Sequence, residues 1–337
     1  MEFQRVRLVR SDVTNPWDNL AREEQLVNLC EEDEAILYLW RNAHTVVVGR
    51  NQNPWAECRL DLLESEGGKL ARRSTGGGAV YHDLGNLNYS FILPRKRYNM
   101  ERQLAVILGA LRGLGLDAEF SGRNDLVIGG RKFSGNAYQL TRDKGLHHGT
   151  LLFSADMAML SRYLNVDPEK LRTKGVASVA SRVMNLRDAS PGLALADLQD
   201  ALEEEFLARY PAAERLREQG APGGEEFQRL ARRYRSREWR YGRSPGCEVS
   251  LRRRFPWGGL EVRFDVRDGR VSSPVVFSDA MDGEMILALG GMLEGVPFRW
   301  KEMAEAVRRG FPGRREMDET AAWLEEAPVG ERKEACS

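Results

Sequence analysis

Short apolar runs joined by very short turns set the first limit on what this chain can fold into. Ala35-Ile36-Leu37-Tyr38-Leu39-Trp40 and Thr45-Val46-Val47-Val48-Gly49 are both β-rich, and Asn42-Ala43-His44 lies between them. A parallel connection needs about a dozen residues or more, so this spacing predicts an antiparallel hairpin. Both runs are almost continuously apolar, as central strands covered on two faces are. Gly78 to His82 and Leu87 to Leu93 predict a second hairpin, joined by Asp83-Leu84-Gly85-Asn86. Further strands are predicted at Asp125–Ile128, Lys132–Ser134 and His148–Phe153. Helical spacing appears at Trp17, Leu20, Ala21 and Val27, from Pro54 onward, and over Glu101 to Leu114, which ends at Gly113 and Gly115. This irregular alternation predicts an α+β fold with mixed or antiparallel sheets, not a doubly wound parallel one.

At 337 residues the chain is long for one core, and its texture changes along its length. Leu193 to Tyr210 and Glu225 to Tyr234 read as charged helices, and Ser244-Pro245-Gly246 as a linker. Beyond it, Leu260–Val266 alternates as a half-buried strand, Asp268-Gly269 turns, and Val271–Phe277 returns. Helices are predicted at Met285–Leu293, Trp300–Val307 and Glu316–Leu324. The expected division is a larger first domain over residues 1–244 and a small α+β accessory domain over 250–337.

Lys+Arg and Asp+Glu both number 50, so no global basic bias points to nucleic acid or to an anionic membrane. Cys30, Cys58, Cys247 and Cys336 form no C-x-x-C pair, which suits reduced thiols better than a disulfide framework or a zinc site. The first twenty or so residues lack the apolar stretch of a secretory signal, and no run approaches the roughly 18 apolar residues of a membrane span. A cytoplasmic protein is expected, and nothing in the sequence demands more than a monomer.

Two segments concentrate the chemistry. Arg72-Arg73-Ser74-Thr75-Gly76-Gly77-Gly78 sets two guanidinium groups against a triple glycine. Without Cβ atoms, the backbone N–H groups of such a loop can approach a phosphate or carboxylate closely. Arginine adds forked donors that stay charged. A mobile surface turn would show the same glycines, so the flanking arginines carry the inference. No Gly-Lys-Ser/Thr or G-x-G-x-x-G pattern follows, which excludes the common nucleotide loops. The second segment is Asp125-Leu126-Val127-Ile128-Gly129-Gly130-Arg131-Lys132-Phe133-Ser134. If Gly129-Gly130 is a two-residue turn, Ile128 pairs with Arg131, Val127 with Lys132 and Asp125 with Ser134, and Asp125 shares a face with Lys132. That pair is either an ordinary surface ion pair or a lysine that meets an anion beside a carboxylate that helps hold Mg²⁺. His147-His148 is too small a cluster for a metal, and His82 and His148 suit a structural or a site role about equally. No thiol lies between Cys58 and Cys247 to act as an acyl-enzyme nucleophile.

Several spaced motifs, in order, resemble the lipoate–protein ligase A family. They are Leu39-Trp40-Arg41-Asn42, Val48 to Trp55, the Arg73–Asn86 stretch, Gly122-Arg123-Asn124-Asp125, Lys132 to Ala137, and His147-His148-Gly149-Thr150-Leu151-Leu152. The resemblance covers most of residues 17 to 186 and continues through Trp239-Arg240-Tyr241-Gly242 to Phe255-Pro256-Trp257-Gly258-Gly259. It implies a biotin/lipoate-ligase-like catalytic domain and a small C-terminal domain that moves between two reaction steps. Lipoate and ATP would give lipoyl-AMP and pyrophosphate, and the lipoyl group would then pass to a lysine of a lipoyl domain of 2-oxoacid dehydrogenase complexes or of the glycine-cleavage H protein.

Carried onto this sequence, the resemblance makes Lys132 the catalytic lysine, and Asp125, on its face of the hairpin, is the candidate Mg²⁺ ligand. Arg73, Gly76, Gly77, Gly78, Ala79, Val80, Tyr81, His82, Asn124, Lys132, His148, Lys174 and Ser178 become the binding residues for ATP and lipoate. Lys174–Val179 matches a loop that orders over the adenylate, and Val46, Val48, Val80 and Ala137 are candidates to line the lipoyl tail. The Gly129-Gly130 turn is tighter than in some relatives, which weakens the carry-over to Asp125 more than that to Lys132. A lipoyltransferase using preformed lipoyl-AMP shares these motifs and stays open as an alternative. An octanoyltransferase is disfavoured by the absent thiol, and biotin ligation by the absent Gly-Arg-Gly-Arg loop.

Overall fold

A computed structural model describes residues 3–121, 125–165, 183–242 and 249–326. The chain divides into two compact units. The first holds residues 1–48, 54–73 and 79–240; the second holds 241–337 together with the short loops 49–53 and 74–78.

The first unit is built on an eight-stranded mixed sheet. Its strands are β1 (Phe3–Arg10), β2 (Glu34–Trp40), β6 (Asn86–Pro94), β7 (Glu119–Phe120), β8 (Asp125–Ile128), β9 (Arg131–Leu140), β10 (Lys144–Leu152) and β11 (Ala212–Gln219). Their spatial order is β11-β1-β2-β6-β10-β9-β8-β7, with β1 parallel to both β2 and β11 and the other pairs antiparallel. A second, three-stranded sheet has the order β4-β3-β5, from β3 (Thr45–Val48), β4 (Lys69–Arg72) and β5 (Val80–His82).

Alternation along the strands separates two cores. Leu37, Leu39, Leu87, Phe91 and Leu151 pack with Leu104, Ile107 and Leu111 of α4 (Met100–Gly113) and with Leu198, Leu202 and Phe206 of α7 (Leu195–Arg209). Ile36, Tyr38, Trp40, Ile92 and Leu146 pack on the opposite side with α1 (Pro16–Leu29), α8 (Glu225–Arg235) and Val47 and Ala71 of the small sheet. The period of two in a strand and of 3.6 in a helix produces this division. Asn15 caps α1 by accepting from the Trp17 N–H at 3.1 Å, with Pro16 at the first helical position. Asn99 caps α4 by accepting from the Arg102 N–H at 2.8 Å.

The second unit has an antiparallel sheet of β12 (Val249–Phe255), β13 (Gly258–Arg267) and β14 (Arg270–Ser278). Leu260, Val262 and Phe264 turn inward against Ile286, Leu289 and Leu293 of α10 (Gly283–Leu293), Met303 and Val307 of α11 (Trp300–Gly310), and Ala321 and Leu324 of α12 (Arg315–Glu326). Among the described residues, no helix is long and apolar enough to cross a membrane.

Both early hairpins are corrected. β2 pairs with β1 and β6, while β3 pairs with β4 and β5, so Asn42-Ala43-His44 carries the chain from one sheet to another. Asp83-Leu84-Gly85 likewise leads from β5 in the small sheet to β6 in the large one. A short turn permits pairing of its flanking strands, but β2, β3 and β6 each pair with two other strands, and β5 pairs with β3. The Gly129-Gly130 hairpin forms, with Ile128 opposite Arg131 and Val127 opposite Lys132. A bulge between Leu126 and Val127 then shifts the register, so Asp125 faces Gly135 and Leu126, not Asp125, faces Ser134.

Candidate functional site

Arg73 follows β4 directly, and its backbone N–H extends the parallel ladder to the Val48 carbonyl at 3.1 Å. Its side chain is buried, with Nη1 donating to the Val47 carbonyl at 3.3 Å. Burial pulls its pKa down to about 10, and the nearby Glu23 carboxylate opposes that fall. At neutral pH the guanidinium therefore remains a cation inside the fold.

Two buried hydrogen-bond chains lead to two imidazoles in this region. In the first, Ser11 Oγ and the Tyr38 hydroxyl donate to Asn19 Oδ1 at 2.7 and 3.0 Å. Asn19 Nδ2 donates to Asn42 Oδ1 at 2.9 Å, and Asn42 Nδ2 to His82 Nδ1 at 3.2 Å. Each amide is thereby oriented, His82 Nδ1 accepts, and the proton of the neutral ring resides on Nε2. Among the described residues, His82 Nε2 has no hydrogen-bond partner. In the second chain, Trp40 Nε1 donates to Ser90 Oγ at 3.0 Å, and Ser90 Oγ donates to Glu23 Oε1 at 2.5 Å. His148 Nδ1 meets the same Glu23 oxygen at 2.8 Å. Register explains the gathering: Tyr38, Ser90, His148 and Ala137 stand opposite one another across β2, β6, β10 and β9.

Burial first, and then the positive field of Arg73 and His148, pulls the His82 pKa down to about 3. Burial pulls His147 down to about 3 as well. An unfolded imidazole takes its proton near pH ~6.5, so below that pH the unfolded chain binds more protons than the folded one. Stability is expected to be held above pH ~6.5 and to fall as the pH drops toward 3. Urea midpoints taken between pH 7 and pH 4 should lose about one proton's worth of slope in His82→Gln. An unchanged slope would mean that His82 titrates normally in the fold.

Lys132 Nζ lies 2.7 Å from Asp125 Oδ1, with the side chains 37% and 28% exposed. The bulge moves Asp125 in register yet leaves this pair intact. Two contacts fix the Lys132 segment: the Met184 N–H donates to the Lys132 carbonyl at 2.9 Å, and Gly135 packs against the ammonium, where a Cβ would stand 3.2 Å from Nζ. The Gly135 N–H reaches Thr150 Oγ1 at 3.3 Å, two residues along β10 from His148.

The other predicted positions divide into three groups. Ala79, Val80, Tyr81 and His82 lie in or just before β5, with Tyr81 packed against Tyr163 at 5.5 Å between ring centroids. Gly76, Gly77 and Gly78 belong to the second unit. There the Gly77 N–H, at φ 91°, donates to the Ala280 carbonyl at 3.0 Å, and a Cβ on Gly76 would lie 2.4 Å from the same oxygen. Asn124, Lys174 and Ser178 lie outside the described residues.

Sequence reasoning missed Glu23, Ser90, Asn19 and Asn42. For Glu23 a signal existed, because it falls three residues after Leu20 on the apolar stripe of α1 and is almost completely buried. A carboxylate inside such a stripe requires a partner. Asn42 was hidden by its apparent place in a turn.

The model of the lipoyl protein ligase A/B catalytic domain matches residues 15–207, and that of the bacterial lipoate protein ligase C-terminus matches residues 244–322. Among solved structures, LipL1 of P. falciparum in complex with lipoate is 28% identical. That match covers 96% of this chain and all of the other, at a TM-score of 0.83. The bipartite lipoate protein ligase of Thermoplasma acidophilum, solved with its E2 lipoyl domain, is 30% identical over 73% of this chain and 99% of its own, at a TM-score of 0.61. A lipoate–protein ligase A bound with ATP is 29% identical over 72% of this chain and 99% of its own, at 0.59. With its catalytic segment and its C-terminal segment both matched, the chain belongs to the lipoate–protein ligase family of enzymes.

Proposed function

We propose that the chain activates lipoate with ATP and transfers the lipoyl group to a lysine of an acceptor protein. In the first step a lipoate carboxylate oxygen attacks the α-phosphorus of ATP and pyrophosphate leaves. In the second the acceptor amine attacks the acyl carbon, loses its proton, and AMP departs with the bonding pair. The ion pair of Lys132 with Asp125 at 2.7 Å, on a strand segment held at Lys132 and Gly135, is the observation that carries this proposal. It is supported by the lipoate, the ATP and the lipoyl domain seen with relatives.

The proposed roles follow from charge and position. Lys132 sets a compact cation against the charge that grows on the α-phosphate, and later against the acyl oxygen. Arg73 supplies a second, forked cation. His82 Nε2–H and the Glu23-held His148 are oriented donors for substrate oxygens or for the adenylate. Ala79, Val80 and Tyr81 border the nucleotide, and Val46, Val48, Val80 and Ala137 the lipoyl chain. The Gly77 amide already donates to Ala280, so it serves a phosphate only after that bond opens. Asn124, Lys174 and Ser178 complete the site by resemblance. Neither step needs a covalent enzyme intermediate, and the work is positioning and exclusion of water.

Among the described residues no cluster of three His, Cys, Asp or Glu forms a metal cage. Mg²⁺ needs none here, because one carboxylate with substrate phosphates suffices, and Asp125 offers such a carboxylate beside Lys132. Bound there, Mg²⁺ would neutralise phosphate charge. Asp125→Asn is expected to raise the Mg²⁺ concentration for half-maximal rate by about tenfold. A superimposable Mg²⁺ titration would leave Asp125 with a structural role alone.

Acceptors of this class are apo lipoyl domains of 2-oxoacid dehydrogenases and H protein, with the chain acting in the cytoplasm as a monomer. The decisive assay is lipoate-dependent pyrophosphate release from ATP and Mg²⁺, with and without an apo lipoyl domain. Release, with the lipoyl mass added to the acceptor lysine, is the expected result. Transfer from supplied lipoyl-AMP without pyrophosphate release would instead make the chain a lipoyltransferase.

A further inference from the structure

The strand that delivers Arg73 is an edge strand. In the order β4-β3-β5, one side of β4 pairs with β3, and among the described residues no strand lies on the other side. In a parallel pair, a residue directs its N–H and its C=O to the same side, and the side alternates along the chain. The Lys69 and Arg73 N–H groups donate to the His44 and Val48 carbonyls at 2.9 and 3.1 Å, so residues 69, 71 and 73 face β3. Leu70 and Arg72 therefore direct their carbonyls outward, and both residues are buried. A buried outward carbonyl with no strand to answer it requires another donor.

Two indoles supply it. Trp17 Nε1 donates to the Leu70 carbonyl at 2.9 Å, and Trp239 Nε1 donates to the Arg72 carbonyl at 2.8 Å. These are the two successive outward acceptors of the strand. The second bond is reciprocated, since Arg72 Nε donates to the carbonyls of Trp239 and Arg240 at 2.8 and 3.1 Å. The indoles are themselves held by cations. The Arg240 guanidinium lies 5.0 Å from the Trp17 ring centroid, and that of Arg233 lies 4.4 Å from the Trp239 ring. Tyr234 adds an edge contact to Trp239 at 5.5 Å.

We propose that Trp17 and Trp239 are positioning residues, which stand in for a missing β-strand and fix the backbone from which Arg73 projects. One comes from α1 and the other from α9 (Arg237–Tyr241), 222 positions apart in numbering (239 less 17), so Arg73 is held by the two ends of the first unit's sequence. The bearing on catalysis rests on the substrate-binding role proposed for Arg73.

The test uses the full chain with Trp239→Phe and, separately, Trp17→Phe. Each keeps a ring and deletes one indole N–H. Hydrogen exchange over residues 69–73 is expected to quicken by about tenfold, the value of one neutral hydrogen bond, while exchange in β6 and β10 is unchanged. Turnover per folded molecule in lipoate-dependent pyrophosphate release is expected to fall about tenfold, with the KM for lipoate shifted less than twofold. If either variant fails to fold, Arg72→Lys tests the same junction through different bonds, the reciprocal Nε contacts with the Trp239 and Arg240 carbonyls. Unchanged exchange over 69–73 in the folded variants would overturn the proposal, as would quickened exchange with wild-type turnover and KM. Exchange requires no substrate. A wild-type protein without pyrophosphate release would therefore defeat the adenylating role alone, while the exchange data still decide whether the indoles hold the strand.

Discussion

Lys132→Ala is expected to reduce lipoate-dependent pyrophosphate release by at least about 10²- to 10³-fold, the usual cost of deleting a donor aimed at developing charge. That corresponds to about 3–4 kcal/mol of lost transition-state stabilisation. The fold should tolerate the change. Lys132 is 37% exposed and its partner Asp125 28% exposed, and ion pairs as open as this one contribute little to stability. A thermal midpoint within a few degrees of wild type should therefore accompany the lost turnover. Transfer from supplied lipoyl-AMP is expected to slow as well, because the same ammonium faces the acyl oxygen in the second step. Lys132→Arg retains a cation with a different reach and planar geometry, and is expected to recover only part of the rate. Wild-type pyrophosphate release by Lys132→Ala would remove the lysine from the mechanism and leave the pair with Asp125 as a surface contact.

Candidate residues for the site were easier to name from the sequence than the path of the chain that brings them together. Arg73 and Lys132 stood out because two arginines set against three glycines, and a lysine just after a Gly-Gly turn on the same face as a carboxylate, gather charge where the backbone can approach an anion. The α+β class followed from short strands mixed with helices, and helices form at 100–113, 195–209 and 283–293, where helices were expected. What failed was pairing. Apolar runs 35–40 and 45–49 identify strands but carry no signal for which sheet each joins, since residues far away in sequence supply the neighbours. β11 was missed because Ala-Ala-Glu-Arg-Leu-Arg-Glu-Gln is an exposed edge, whose charges blunt it and erase the alternation. Its pairing with β1 is a property of the fold, not of either segment. The hydrogen-bond chains were invisible for a related reason: Ser90 and His148 meet through strand register, and Glu23 reaches them from α1, far away in sequence.

Arg73→Lys is the second change from which a large loss is expected, about 10²-fold in kcat/KM for pyrophosphate release. A lysine preserves the charge but not the planar fork that engages a carboxylate or phosphate through two parallel bonds. It also cannot reproduce the Nη1 bond to the Val47 carbonyl in the same geometry. Burial adds to the cost, because an ammonium is hydrated more strongly than a guanidinium and loses more on entering the fold. The pKa of Arg73 already falls to about 10 by burial, starting from a value above 12; a lysine starts about two units lower. The substituted amine is therefore expected to titrate toward neutral pH, and the residual activity should fall as the pH rises through that range, where wild type holds steady. A pH–rate profile separates this from simple misfolding, which would lower activity at every pH alike. Activity of Arg73→Lys equal to wild type across pH 6 to 9 would show that any cation suffices at this position, and that the fork contributes nothing to the transition state.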